Sequence, residues 1–382
     1  MKANFYRKQI DRLFDLIEKN KGDEADVMGS INVADVLDVD HHEHEKALFR
    51  RLPIIVAHSS EVASVGDYVV REIDAISWLI VRGKDKVVRA FYNYCQHRGT
   101  VLVHDKQGQC ANRFVCPYHS WTYSNQGDLV GVPRSDLFPG LKKSSKNLKQ
   151  ADLQEAYGFL WLTQEAEKTT PIMGYLGGLA EEFLQMGLES HHLYFDKTRE
   201  IKCNWKLPIF AFLESYHIET LHKESIAEFF YANIAVSEML EPHIRSLVPR
   251  TNATEIKDLD YATVKVSEYF TPTDILFPNV VLIAHPTCIS IIMLFPGDTP
   301  GSSRWRHMLL TPNKPKTQKE RDHYDRTIAL LDGITYEKED FWISQECQKG
   351  LNAGVLDELV LSKNEYLMGV FNDFIKKQLG DA

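Results

Sequence analysis

The chain has 382 residues, 44% hydrophobic and 25% charged; this is the balance of a soluble globular protein, too long for one ordinary core, so two domains are expected. Its 53 acidic residues against 44 basic ones leave a formal charge of -9, which argues against a nucleic-acid partner. Six cysteines are too few for a disulfide scaffold of this length, and thiols kept free or metal-bound fit a reducing cytoplasm.

Taken in chain order, the sequence falls into three zones: 1–44, 45–165 and 166–382. The first opens on an amphipathic helix over residues 1 to about 22, with Phe5, Ile10, Leu13, Phe14 and Ile17 near one face and a polar stop at "NKGDEAD". Charges run throughout it, so no secretory signal is expected. The second zone carries short β-rich runs, "PIIVAH", "DYVVREI", "SWLIVRG", "VVRAFYNY", "RFVCPY" and "GFLWLT". Turn clusters separate them, as in a small antiparallel sandwich. The third mixes helices ("YLGGLAEEFLQMG", "AFLESYHIETLHKESIAEFFYANI", "FWISQECQKGL", "NEYLMGVFNDFIKKQL") with strands between about 260 and 312. Segregated strands and helices make the fold class α+β. The longest apolar stretch, from Val280, is broken by His285 and Pro286; it reads as two buried strands, and no membrane partner is expected.

Two short stretches in the second zone carry chemistry. "YCQHRG" holds Cys95 and His97, and "CPYHSW" holds Cys116 and His119, each next to a turn. Zinc could take Cys2His2, but zinc fingers usually place both histidines after both cysteines. One thiolate and one imidazole per loop suits instead a two-iron cluster with both cysteines on one iron and both histidines on the other. The pattern C-x-H-R-G followed by C-P-Y-H-S-W resembles the Rieske [2Fe-2S] motif. Eighteen residues between His97 and Cys116 make a long hairpin, in which Cys110 is a bystander. Respiratory Rieske proteins carry a further cysteine in each loop; the corresponding positions here are Thr100 and Tyr118.

The third zone holds a second constellation, "NWKLPIFAFLESYHIETLHKES". Glu214, His217 and His222 read as one helix, on which Glu214 and His217 lie about 60° apart while His217 and His222 diverge by about 140°. Both histidines can meet one metal only if the helix ends, bends or bulges near His222, and it is expected to do so. Two imidazoles and a carboxylate make the facial triad of non-haem Fe(II) oxygenases. Glu337, Glu339 and Asp340 are the candidate acids, although acids at a helix N-terminus also need no metal.

Both constellations together resemble the terminal oxygenase α subunit of the Rieske non-haem iron oxygenases, of the aromatic-ring-hydroxylating type, over nearly the whole chain. The resemblance implies an N-terminal helical segment (1–44) packed on the catalytic domain, a β Rieske domain (45–165), and a catalytic mononuclear iron domain (166–382) with a helix-grip-like antiparallel sheet. It selects Asp340 as the third iron ligand beside His217 and His222, with a Rieske cluster on Cys95, His97, Cys116 and His119. It also implies a homotrimer in which electrons cross to the neighbouring subunit, with Glu214 linking His217 to that neighbour's His119. A separate NAD(P)H-dependent flavin reductase, with or without a ferredoxin, would supply electrons, since no dinucleotide fingerprint is visible. Dioxygen and a small organic molecule would be the substrates.

This chain departs from many relatives at Phe210 and Ala211, where a Glu-Asn pair is common. Phe210, Phe212, Leu213, Val281, Ile283 and Phe295 are candidate pocket walls. An aromatic substrate suits such apolar walls, whereas a quaternary ammonium substrate would need an aromatic cage. A Rieske electron carrier or redox sensor without a working iron site is the alternative outside catalysis.

Overall fold

The computed structural model describes residues 1–165 and 169–380. The chain divides into two compact units, one of Met1–Leu48, Leu176–Met186 and His191–Ala382, the other of Phe49–Tyr175 and Gly187–Ser190. The change of zone expected at 165/166 borders residues 166–168, which lie outside the described residues. Among the described residues no helix is long and apolar enough to cross a membrane.

The smaller unit is built on a seven-stranded antiparallel sheet, ordered Ile54–His58, Phe159–Thr163, Gln150–Ala156, Val88–Tyr92, Ile76–Arg82, Asp67–Ile73 and Gln107–Gln109. A second sheet pairs Arg113–Val115, Thr122–Ser124 and Leu129–Gly131. Leu79, Val81, Phe91, Phe114, Trp121 and Tyr123 pack into one buried cluster that also contains Cys95 and Cys116. Burying both thiols on an aromatic floor fixes the loops that carry them.

The larger unit has its own seven-stranded antiparallel sheet, ordered His192–Ile201, Ser303–Thr311, Ile289–Pro296, Val280–Ala284, Phe270–Leu276, His243–Pro249 and Val236–Leu240. The apolar stretch from Val280 is indeed two paired strands. Three strands of this sheet lie outside the expected span of 260 to 312. His192–Ile201 is an edge strand whose exposed residues include Asp196, Lys197, Thr198 and Glu200, so it lacks the apolar alternation that marks a strand. Arg7–Lys19 forms the expected helix, burying Ile10, Leu13 and Phe14. The helices Val39–Arg51 and Gln318–Leu330 went unpredicted because their charged sequences show no clear apolar stripe.

The N-terminal segment is tied to the site through "NWK". Lys206 is fully buried, and its ammonium donates to Glu45 Oε1 at 2.5 Å and to the Asp35 carbonyl. Trp205 Nε1 donates to the other Glu45 oxygen at 2.7 Å, and Asn204 donates to the Val36 carbonyl at 2.8 Å. Lys206 opens the helix Lys206–Ala211 that leads into the His217 turn. Glu45→Ala would strand a buried ammonium, so a loss of about 3–5 kcal/mol is expected, read as a lower denaturant midpoint with an unchanged slope.

Candidate metal centres and active-site cavity

The two loops of the smaller unit close by the same backbone device. The Cys95 N–H donates to the Thr100 carbonyl at 2.8 Å and the Gly99 N–H to the Cys95 carbonyl at 2.9 Å. In the second loop the Cys116 N–H donates to Trp121 at 2.8 Å and the Ser120 N–H to Cys116 at 3.0 Å. Each loop turns through a positive φ, +75° at Gly99 and +58° at Ser120, a conformation glycine adopts freely and serine only under constraint.

This brings the four ligand candidates together in like pairs. Cys95 and Cys116 are both buried, and burial, with the adjoining Cys116 thiol, pushes the Cys95 thiol up. The His97 and His119 rings lie 4.7 Å apart, and His97 stacks on Trp121 at 4.8 Å. Nδ1 of both histidines is buried without a hydrogen-bond partner. Two buried nitrogens without a partner, on neighbouring rings of the same two loops that carry the two buried sulfurs, fit a cluster with thiols at one end and imidazoles at the other. Tyr123, which the sequence did not single out, accepts from the Gln96 N–H at 3.0 Å and stands 3.4 Å from the Cys95 sulfur. Cys110 stays outside this group as a free thiol.

In the larger unit the single helix expected through Glu214, His217 and His222 is broken. One helix ends at Ala211, and a one-turn helix, Ile218–Leu221, lies between His217 and His222. The Glu214 carboxylate causes the break: it accepts from the backbone N–H groups of Tyr216 and His217 and from His217 Nδ1. Such local side-chain acceptors compete with helix propagation. The helix does end at His222, and the two imidazoles meet at 5.0 Å.

The acid comes from a π-helical segment, Leu331–Asp340, between two α-helices, a widening often found at functional sites. Of the three candidate acids, Asp340 reaches the histidines. His217, His222 and Asp340 can each place a ligand atom within 4.8 Å of the other two. Asp340 Oδ1 stands 3.2 Å from His222 Nε2 and is buried with no hydrogen-bond donor of its own. Glu337 instead pairs with Arg199 at 3.0 Å. Glu339 serves the far side of the ring, accepting from His222 Nδ1 at 2.7 Å and from Ser225 Oγ at 2.6 Å.

Both histidines therefore turn Nδ1 to a carboxylate and leave Nε2 for a metal, the arrangement in which an outer acid fixes the tautomer of a metal-bound imidazole. Burial works against the charged form of His222, yet Asp340 and Glu339 hold its pKa above the ordinary value. The site thus favours positive charge at its centre. Two imidazoles and one carboxylate on one side suit ferrous iron with positions left open. Glu339→Gln would weaken the acceptor on His222, and iron affinity is expected to fall by about 10- to 100-fold, measured by competition with a chelator.

These three residues line a cavity of about 430 Å³. Of the candidate walls, Phe212 and Ile283 line it; Phe210, Leu213, Val281 and Phe295 do not. Phe210 packs toward Phe371, with ring centroids 6.5 Å apart. Leu213 is buried in the core and borders, with Phe212, a separate small pocket. Val281 shares the strand face of Ile283 but is fully buried two residues deeper. Phe295 lies at the far end of the strand Ile289–Pro296, opposite Arg304. Ala211 also lines the cavity. The walls that sequence reasoning missed, among them Phe229, Phe230, Arg250 and Tyr336, come from elements whose side-chain directions no local motif announces.

A fold of this kind with these two centres defines an iron oxygenase scaffold, and comparison with known proteins agrees. The family profile of the ring-hydroxylating α subunit catalytic domain matches residues 188–381, and that of the Rieske [2Fe-2S] domain matches 53–142. The chain belongs to the ring-hydroxylating oxygenase α-subunit family, whose cofactors are a Rieske [2Fe-2S] cluster and a mononuclear iron. It is 37% identical over 183 residues to the carnitine monooxygenase oxygenase subunit of Escherichia coli (strain K12), covering 47% of this chain and 48% of that one. To the large oxygenase component of the naphthalene 1,2-dioxygenase system of Pseudomonas putida it is 27% identical over 350 residues, 80% of this chain and 75% of the other. Its match thus spans about half the length of the first of these curated relatives. A solved quaternary ammonium Rieske monooxygenase superposes with a TM-score of 0.79 at 22% identity, over 91% of this chain and 95% of that one, a likeness of fold.

Proposed function

We propose that the chain is the terminal oxygenase component of a multicomponent Rieske oxygenase, which uses dioxygen and NAD(P)H-derived electrons to hydroxylate or dihydroxylate a small organic substrate, aromatic in the first instance. The observation that carries this reading is the convergence of His217, His222 and Asp340 on the wall of one cavity. Cys95 and Cys116 would hold one iron of the cluster, and His97 and His119 the other. Iron bound by His217, His222 and Asp340 would supply the open coordination positions at which dioxygen is activated.

The chain's own residues then have distinct tasks. Glu214 holds the Nδ1 proton of His217, and Glu339 that of His222, so both rings keep Nε2 inward. Phe212, Ile226 and Ile283 offer the substrate an apolar slot that excludes water. In a homotrimer Glu214 would also reach His119 of a neighbouring subunit and couple the two centres. A flavin reductase, with or without a ferredoxin, would deliver the electrons.

Identity to carnitine monooxygenase favours a second reading, cleavage or N-demethylation of a quaternary ammonium compound. A non-catalytic electron carrier is the third. Metal analysis of anaerobically prepared protein separates the carrier from the oxygenases: about two irons per chain for the former, about three for the latter. With a reductase present, substrate-dependent oxygen uptake with an aromatic compound (naphthalene or 2-naphthoate) but not L-carnitine would support the first reading, and the reverse the second. Three irons without uptake on any substrate of either class would sink both.

A further inference from the structure

The cavity contains one charge that the reaction described above does not use. Arg250 follows the strand His243–Pro249, and its backbone N–H donates to the Tyr269 carbonyl at 2.9 Å. Its guanidinium sits over Phe229 at 5.5 Å and over Phe230 at 5.4 Å, and all three line the same cavity as the iron ligands. The two rings fix the guanidinium in place without neutralising it. Among the described residues no carboxylate pairs with Arg250. The lining acids Glu214 and Asp340 are turned to His217 and His222.

We propose that Arg250 is a specificity-determining residue that takes the carboxylate of the substrate, so that the molecule oxidised at the iron site is an organic acid. This rests on the reading of the cavity as the substrate site. A planar guanidinium matches a carboxylate bidentately, and an unpaired charge lined by aromatic rings is otherwise a standing cost. Desolvation already pulls the Arg250 pKa down, as expected of a cation that has lost water and gained no counter-charge. His285 on the same lining adds no competing cation: burial, helped by His307 and Arg250, pushes its pKa down to about 3. Apolar walls (Ile226, Ile283, Leu330) complete the slot. An acid with an apolar body therefore fits at both ends, whereas a neutral hydrocarbon leaves the guanidinium stranded.

The test is calorimetric titration of the reduced, iron-loaded protein, without oxygen, using matched pairs: benzoate and benzamide, 2-naphthoate and 2-naphthamide, hexanoate and hexanamide. At least one acid should bind about ten- to a hundred-fold more tightly than its amide. Arg250→Gln should bring that ratio close to one while leaving amide affinity and iron content unchanged, and Arg250→Lys should keep part of the preference. If no acid outbinds its amide in the unaltered protein, including the case in which neither binds, the proposal is overturned. It is equally overturned if Arg250→Gln keeps the preference. Should Arg250→Gln not fold, Arg250→Lys decides: a reduced ratio supports the proposal, and a fully retained ratio overturns it, because the guanidinium is then not what is read. A protein that selects acids through Arg250 yet holds no iron at His217, His222 and Asp340 would refute the oxygenase reading and leave the anion site standing.

Discussion

Asp340→Ala protein is expected to carry about two irons per chain instead of about three, with the visible spectrum of the cluster intact and substrate oxidation reduced to background. Asp340 is the single anionic member of the triad, and its Oδ1 is already buried without a donor. Removing it leaves two neutral imidazoles, one of them half-exposed, to hold a divalent cation. The loss should exceed the roughly 10- to 100-fold that removing an outer-shell partner costs. Glu339 cannot take over, because it is committed to His222 Nδ1 and Ser225 on the opposite side of the ring. Full iron occupancy in Asp340→Ala, measured by metal analysis, would show that the acid lies elsewhere.

The second large effect is expected from Glu214→Gln: both metal centres filled, and turnover down by about 100-fold or more. A glutamine can still accept from His217 Nδ1, so the ring keeps its orientation and the iron its ligand. It carries no charge, and with one oxygen instead of two it cannot serve the Tyr216 and His217 N–H groups as well as the ring. Any path that couples His217 to a neighbour's cluster through a carboxylate is cut. Stopped-flow reoxidation of the reduced cluster separates this from simple misfolding: transfer should slow while the cluster potential stays the same. Unimpaired turnover in Glu214→Gln would eliminate the coupling role.

The two centres differ in how far they can be read from the chain. The Cys95 and Cys116 loops are local: cysteine, histidine and turn residue fall within five positions, and each loop closes on its own backbone. The His217 and His222 pair is local in sequence but misleading in period, because five residues on an ideal helix point the imidazoles apart. The conflict resolves through Glu214, whose side chain takes the backbone N–H groups that a continuous helix would have used. The candidate walls fared less well. Phe212 and Ile283 reached the cavity while Leu213 and Val281 did not, since one residue of turn geometry or two of strand depth separates lining from core.

The sequence alone determined the β-rich and mixed texture, the four candidate loop ligands and the candidate histidine pair, because short-range spacing and side-chain chemistry carry that information. Tertiary structure decided which of Glu337, Glu339 and Asp340 faces the histidines, sending the first to Arg199, the second to the outer side of His222 and the third to the centre. It also placed Arg250 on the cavity wall with its guanidinium over two phenylalanine rings. Such choices depend on the direction in which a side chain leaves its element and on what long-range packing sets opposite it. Neither is encoded in the residue's immediate neighbours.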